Sequence, residues 1–345
     1  MEFGEHCLEV TGPCGMEQYK PIYRSRRLEE LVRDANLDKL NMVTGTFGYT
    51  GKYITRRLFS MGGRVKTLTG HPNIENPFGD QVEVFPYNFD KPEKLVESLY
   101  GVDTLFNTYW VRFPYGNISF DQAVENTKIL IKSAKIAGVK RIVHISIINA
   151  DEKSSLPYFR GKGIAERFIQ ESNLSYAILR PTVFFGGEES KEAILINNIA
   201  WILRNFPVFT IPGDGNYRVQ PIYVEDLAEL AVDVAHKDEN MITDVAGPET
   251  FTFNELVHLI KHKINSNAKI LHLPRYLPLV FSNIVGKFVN DMLITKDETD
   301  GLMKDILYSR GLPIGKTKLS SWLKENSESV GTEYVSELKR HYLLA

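Results

Sequence analysis

The stretch "NMVTGTFGYTGKYITRRL" sets Gly45, Gly48 and Gly51 between an apolar run and an amphipathic one, in the spacing G-x-x-G-x-x-G. Few features constrain a chain more. A strand that turns sharply into a helix needs a residue without Cβ at the turn, and Gly45 supplies it. Gly48 lets the backbone approach a ligand, and Gly51 lets the helix lie close to the sheet. The amides at the helix start, over Thr46, Phe47, Tyr49 and Thr50, have no intrahelical acceptor and suit a diphosphate. This context predicts a strand–turn–helix unit that binds a dinucleotide.

The rest of the chain repeats the alternation. "KLNMVTG" leads to a helix near 50–61, and "RVKTLTG", "VEVFPYN" and "VDTLFNTY" read as strands around the helix "KPEKLVESLY". A long helix follows over 119–137, then "RIVHISI", the helix "YFRGKGIAERFIQES" and the strand "SYAILRPTVFF". Strands alternating with helices of this length predict an α/β, doubly wound parallel-sheet Rossmann fold over residues 39–186, with later contributions from about 220–248. Residues 187–345 read as a smaller, mostly helical substrate lobe at the carboxyl edge, where open α/β sheets bind ligands. It contains a turn at Gly213-Asp214-Gly215 and a helix capped by Asp226.

Residues 1–38 read as an extension whose Leu28, Leu31 and Leu37 dock at helical spacing. Its Cys7 and Cys14 are the only cysteines, so no disulfide framework supports the fold, and the expected location is the cytoplasm. A net charge of −2 argues against nucleic acid as a partner. No run is long and apolar enough to span a bilayer, but the tail "LPRYLPLVFSNIVGKFVNDMLI" is apolar enough for peripheral contact with a membrane or a lipid-like substrate. Packing on the lobe is its default reading.

The second strand ends in "KTLTGHPN", with Thr69 and His71 and no acid to bind the 2′-hydroxyl of an NAD ribose. NADP is therefore preferred over NAD, with His71, Lys52 or Arg56 as counter-charges for a 2′-phosphate. His258 and His262 lie four apart on a helix without a third ligand, so no metal is expected. Trp110, Arg112, Phe113 and Tyr115, after the fourth strand, are candidates to roof an apolar substrate pocket.

Taken together, "TGTFGYTG", "YFRGK", "AILRPTVFFG", "PIYVEDLAELAV" and "VAGPETFTFNEL" resemble the extended and atypical branches of the short-chain dehydrogenase/reductase superfamily. The likeness is greatest to NmrA-like and epimerase-dehydratase-like members, and the chain is also similar to the NADPH-binding accessory subunit of respiratory complex I. This resemblance implies that Asn88 and Phe89 meet the adenine and that Asn107, Thr108 and Tyr109 pass beneath the adenosine ribose. It places Pro181, Thr182, Val183 and Phe184 on the nicotinamide side and gives Arg218 to a substrate phosphate.

Tyr158 and Lys162 match the superfamily's Y-x-x-x-K pair and, one helical turn apart, share a face. A phenol titrating near about 10 is a poor base unless a nearby ammonium lowers its pKa. Lys162 would do this while holding the nicotinamide ribose, and Tyr158 would then move a proton as hydride moves at the cofactor. Members that do this chemistry carry a hydroxyl near the end of the fifth strand. Here Ser146 is present, the next positions are Ile147 and Ile148, and Asn149 is a substitute donor. The leading expectation is an NAD(P)-dependent oxidoreductase or epimerase acting on a small, apolar or bulky substrate. The alternative is a non-catalytic NADPH-binding structural or redox-sensing protein that docks to a partner or membrane complex.

Overall fold

Strands buried on both faces tend to read as apolar runs, and the inner strands "TLFN" and "RIVHI", buried at every position, come nearest to that. In the computed structural model, which describes residues 39–336 and 338–343, seven parallel strands stand in the order β11-β6-β5-β4-β1-β2-β3. They are β1 Leu40–Thr44, β2 Arg64–Thr69, β3 Val82–Pro86, β4 Thr104–Asn107, β5 Arg141–Ile145, β6 Ser175–Pro181 and β11 Met241–Val245. Register follows the burial pattern: Met42 faces Leu105 and Lys66, and Val143 faces Phe106 and Ala177. The expected extension, with its leucines and both cysteines, lies outside the described residues.

Helices cover both faces. On one side α1, Tyr49–Ser60, packs against α6, Val224–Val234, burying Ile54, Leu58, Leu227 and Ala231 on Val43 and Leu179. On the other lie α2 Pro92–Leu99, α3 Phe120–Ile136 and α4 Pro157–Glu171, with Leu95, Leu130 and Ile169 over Met42 and Ile142. Each such fully buried aliphatic side chain contributes about 1.5–3 kcal/mol relative to exposure. Ser119 caps α3 by accepting from the Gln122 amide at 3.1 Å, and Pro157 opens α4, where a missing N–H costs nothing.

Two expectations are corrected here. "SYAILRPTVFF" is not one strand: the chain leaves the sheet after Pro181, and β7, Phe184–Phe185, pairs with β10, Ile222–Tyr223. Asp226 does not cap its helix, since it lies inside the first turn of α6. It accepts instead from the Lys316 and Thr317 amides at 2.7 and 2.8 Å, pinning a distant segment.

Beyond the sheet, a second core gathers Phe185, Ile211, Tyr217, Leu256, Leu302 and Trp322. It joins α5 Ile194–Asn205, α7 Phe253–Lys263, α9 Lys296–Met303 and α10 Leu319–Glu325. Short strands run through it: β8 Val208–Pro212 pairs with β13 Lys269–Leu273, and β9 Arg218–Val219 with β12 Phe251–Thr252. The turn at Gly213-Asp214-Gly215 is present, with both glycines at positive φ. The apolar tail forms α8, Leu277–Val289, which leaves Leu277 and Val280 exposed. Among the described residues no helix is long and apolar enough to cross a membrane.

Candidate dinucleotide cleft

The carboxyl ends of β1, β4 and β5 open onto one cleft. At its floor the chain turns at Gly45 with φ +69°, donating to Leu68 O at 2.7 Å and accepting from the Gly48 amide at 2.8 Å. A Cβ on Gly51 would stand 2.2 Å from Gly45 O, so only glycine lets α1 sit this close to the turn. Gly48 holds the N-cap position without a side-chain hydrogen bond, which leaves the first-turn amides of α1 available to an anion. The first turn of α1 has no acidic residue to compete for that place.

Lys52 and Arg56, expected as counter-charges, are already neutralised. Lys52 pairs with Glu192, whose other oxygen accepts from Tyr53 at 2.5 Å, and Arg56 pairs with Glu188 at 2.7 Å. Tyr49 donates to Gly186 O at 2.7 Å. Together these contacts fasten residues 186–192 over α1.

Beside the turn, Thr44 Oγ1 accepts the Thr108 and Tyr109 amides at 2.7 and 2.9 Å, and the Thr108 hydroxyl returns a bond to Thr44 O. Asn107 is fully buried, accepting from Thr44 and the Tyr109 amide and meeting His144 Nδ1 at 3.0 Å. Its side chain therefore braces β4 against β5 and is not presented to a ribose. Burial, then the Lys162 charge, holds His144 well below the imidazole range, and its Nε2 has no hydrogen-bond partner among the described residues.

Past the ends of β2 and β3 lies a cavity of about 570 Å³ lined by Thr69, Asn88, Phe89, Asp90, Gln122 and Asn126, among others. Tyr87 stacks on Phe89 at 4.9 Å, and Tyr109 closes on both at 5.0 Å, its hydroxyl accepting from Asn126 at 2.8 Å. The cavity unites the expected Thr69, Asn88 and Phe89 but not His71, whose amide donates to Thr69 Oγ1 at 3.1 Å. Asp90, Gln122 and Asn126 went unnoticed in the sequence because nothing in their spacing marks them.

At the opposite end, α4 brings Tyr158 and Lys162 to one face, yet no hydrogen bond joins them among the described residues. Lys162 is 3% exposed, donates to Ile145 O at 2.8 Å and lies 4.6 Å from the centre of the Trp110 ring. Burial pulls its pKa down to about 7, against the partial support of Glu166. Trp110 also meets Tyr158 edge-on at 6.1 Å and packs on Gly161, where a Cβ would find the indole at 3.0 Å. Tyr158 is further enclosed by Phe120 and Phe159, and burial drives its pKa up, the reverse of what a catalytic phenolate needs.

The expected hydroxyl is spent elsewhere. Ser146 donates to Glu166, which is 2% exposed and forms a two-pronged pair with Arg180. Ser146 thus belongs to a buried ionic cluster. Asn149 donates to Ile306 O at 2.8 Å, and Ile148 is buried. Thr182 donates to Gln220 O, while Pro181 O and Val183 O accept from the Ile148 and Ile222 amides. Phe184 packs edge-on to Tyr49 at 6.1 Å, beside the glycine turn. Arg218 is clamped by Asp305 and stacks on Tyr308 at 3.7 Å, so its charge is already answered. His258 and His262 are both exposed, and no group of three metal-ligating side chains occurs among the described residues.

Comparison with known proteins bears on the fold and the nucleotide. Residues 45–200 match the NAD(P)H-binding family. The chain is 25% identical over 244 residues to mitochondrial NADH dehydrogenase [ubiquinone] 1 alpha subcomplex subunit 9 of Arabidopsis thaliana, covering 67% of this chain and 60% of that one. It is 25% identical over 256 residues to the photosystem II assembly factor Ycf39 of Guillardia theta, covering 72% and 77%. In fold it resembles the triphenylmethane reductase of Citrobacter sp. solved with NADP(H), with TM-score 0.65, 20% identity and coverage of 83% and 99%. The expected Rossmann architecture and the NAD(P)H-binding domain both stand.

Proposed function

We propose that this chain, whose residues 45–200 form an NAD(P)H-binding domain, keeps NADP(H) as a long-resident ligand and does not turn over substrate through Tyr158. One observation carries the reading. The three groups a reductase would converge on a substrate are each engaged by the protein itself, with Ser146 on Glu166, Lys162 on Ile145 O and Tyr158 against Trp110. After the fifth strand, where a second donor is needed, the chain has Ile147 and Ile148.

In this reading the α1 amides hold the diphosphate, and the cavity around Asn88 and Phe89 takes the adenine. Lys162 serves the nicotinamide ribose. When bound, the nucleotide supplies hydride donor or acceptor chemistry at its nicotinamide ring. The absence of a carboxylate in Thr69-Gly70-His71 favours the 2′-phosphorylated form, with His71 left as a candidate counter-charge now that Lys52 and Arg56 are paired. A subunit and an assembly factor among the relatives' names support a protein partner as the reader of the bound state.

The test is the nucleotide itself. Nucleotide released on denaturing the purified protein is identified, and its replacement by labelled NADPH or NADH is timed. NADPH that co-purifies and exchanges over hours is expected. Exchange within seconds, together with a substrate-dependent rate that Tyr158→Phe abolishes, would establish an oxidoreductase, a reading favoured by the common face of Tyr158 and Lys162 on α4.

A further inference from the structure

The glycine turn and the loop after β4 are neighbours at the carboxyl edge, because β1 and β4 pair directly. One distant segment touches both. The short helical turn Lys339–Leu343 sends Arg340 to the glycine-turn side, where its guanidinium lies 5.2 Å from the Tyr49 ring and donates to Glu192 O at 3.2 Å. Two residues on, Tyr342 donates to Phe113 O at 2.5 Å and packs on the rings of Phe113 and Tyr115 at 5.4 and 5.1 Å. It also stands close enough to Tyr109 to influence that hydroxyl electrostatically.

This segment therefore bridges the two walls between which a dinucleotide's diphosphate must lie, on the reading of the cleft given above. Charge adds a second argument. A diphosphate needs cations, yet Lys52 and Arg56 are held by Glu192 and Glu188. Arg340 reaches the same helix start and has no carboxylate partner among the described residues. Its present contacts, a carbonyl and a ring face, are weak ones that a phosphate oxygen would outcompete.

We propose that residues 339–343 form a latch across the dinucleotide cleft, closed by Tyr342 on Phe113 and Tyr115, with Arg340 supplying the cation that meets the diphosphate. The latch makes entry and release of the nucleotide slow, and a partner that displaces Tyr342 sets the exchange rate.

The experiment compares NADPH release, displaced by excess NADP⁺ in stopped flow, from the full chain, Tyr342→Ala, Arg340→Met and a chain ending at Leu338. The shortened chain keeps the bonds of Val335 to Asn198 and of Leu338 to Asp291, so its fold is retained, with an unchanged ligand-free melting curve as the control. Tyr342→Ala and the shortened chain are expected to release NADPH at least about tenfold faster. Arg340→Met is expected to weaken binding and to reduce the salt dependence of the entry rate. Release from Tyr342→Ala and the shortened chain at the full chain's rate would overturn the latch. Failure of the full chain itself to bind NADPH would overturn the reading of the cleft instead.

Discussion

Gly51→Ala tests whether the glycine turn is built by packing. The added methyl would meet Gly45 O at 2.2 Å, Gly45 C at 2.7 Å and Thr46 N at 3.0 Å, all of them backbone atoms. Gly45 cannot retreat freely, because it is bonded to Leu68 O and to the Gly48 amide. Relief therefore requires the start of α1 to move outward by roughly 1 Å, a displacement of the kind that costs about 1–3 kcal/mol in packed cores. Against this, alanine in place of a helical glycine gains about 1 kcal/mol of helix propensity. The net expectation is a destabilisation of up to about 2 kcal/mol, read as a lower urea midpoint at unchanged slope. Gly48→Ala makes the contrast, since its Cβ would meet only Gly45 O at 3.2 Å and its φ of −81° is ordinary. That variant should keep its urea midpoint yet lose at least about tenfold in NADPH affinity by fluorescence titration, because the methyl stands where a diphosphate approaches. A Gly51→Ala protein more stable than the parent, showing the propensity gain with no packing cost, would refute the packing argument, and unchanged affinity in Gly48→Ala would refute the assignment of the cradle.

Three further outcomes are expected. Tyr158→Phe should leave NADPH affinity within about threefold, since the hydroxyl makes no hydrogen bond among the described residues, and equilibrium titration checks this. Arg180→Met strands the buried Glu166 carboxylate and should cost about 3 kcal/mol in urea unfolding, whereas the double change with Glu166→Gln should recover part of it. His144 stays neutral in the fold while the unfolded chain protonates below about 6.5, so stability should fall as pH drops below that value. His144→Gln should flatten that limb of the stability profile. By the same sign rule Lys162, pulled down to about 7, makes stability rise with pH above that point, until the unfolded lysine also loses its proton.

The sequence alone determined the sheet-and-helix alternation, because a strand buried on both faces must be an apolar run and a helix on a sheet must be amphipathic. It determined the glycine turn as well, since steric demand at Gly45 and Gly51 can be met by one residue type only. It also put Tyr158 and Lys162 on one face of α4, which follows from helical period. Tertiary structure decided what each polar group actually faces, because a hydrogen-bond partner far along the chain leaves no trace in local spacing. Ser146 turns to Glu166, 20 positions on, and Arg218 to Asp305, 87 positions on. Lys52 finds Glu192, 140 positions on, and Tyr342 reaches Phe113, 229 positions back. The backbone cradle was legible because it is local; the competition for its surrounding charges and hydroxyls was settled only when distant segments closed over it.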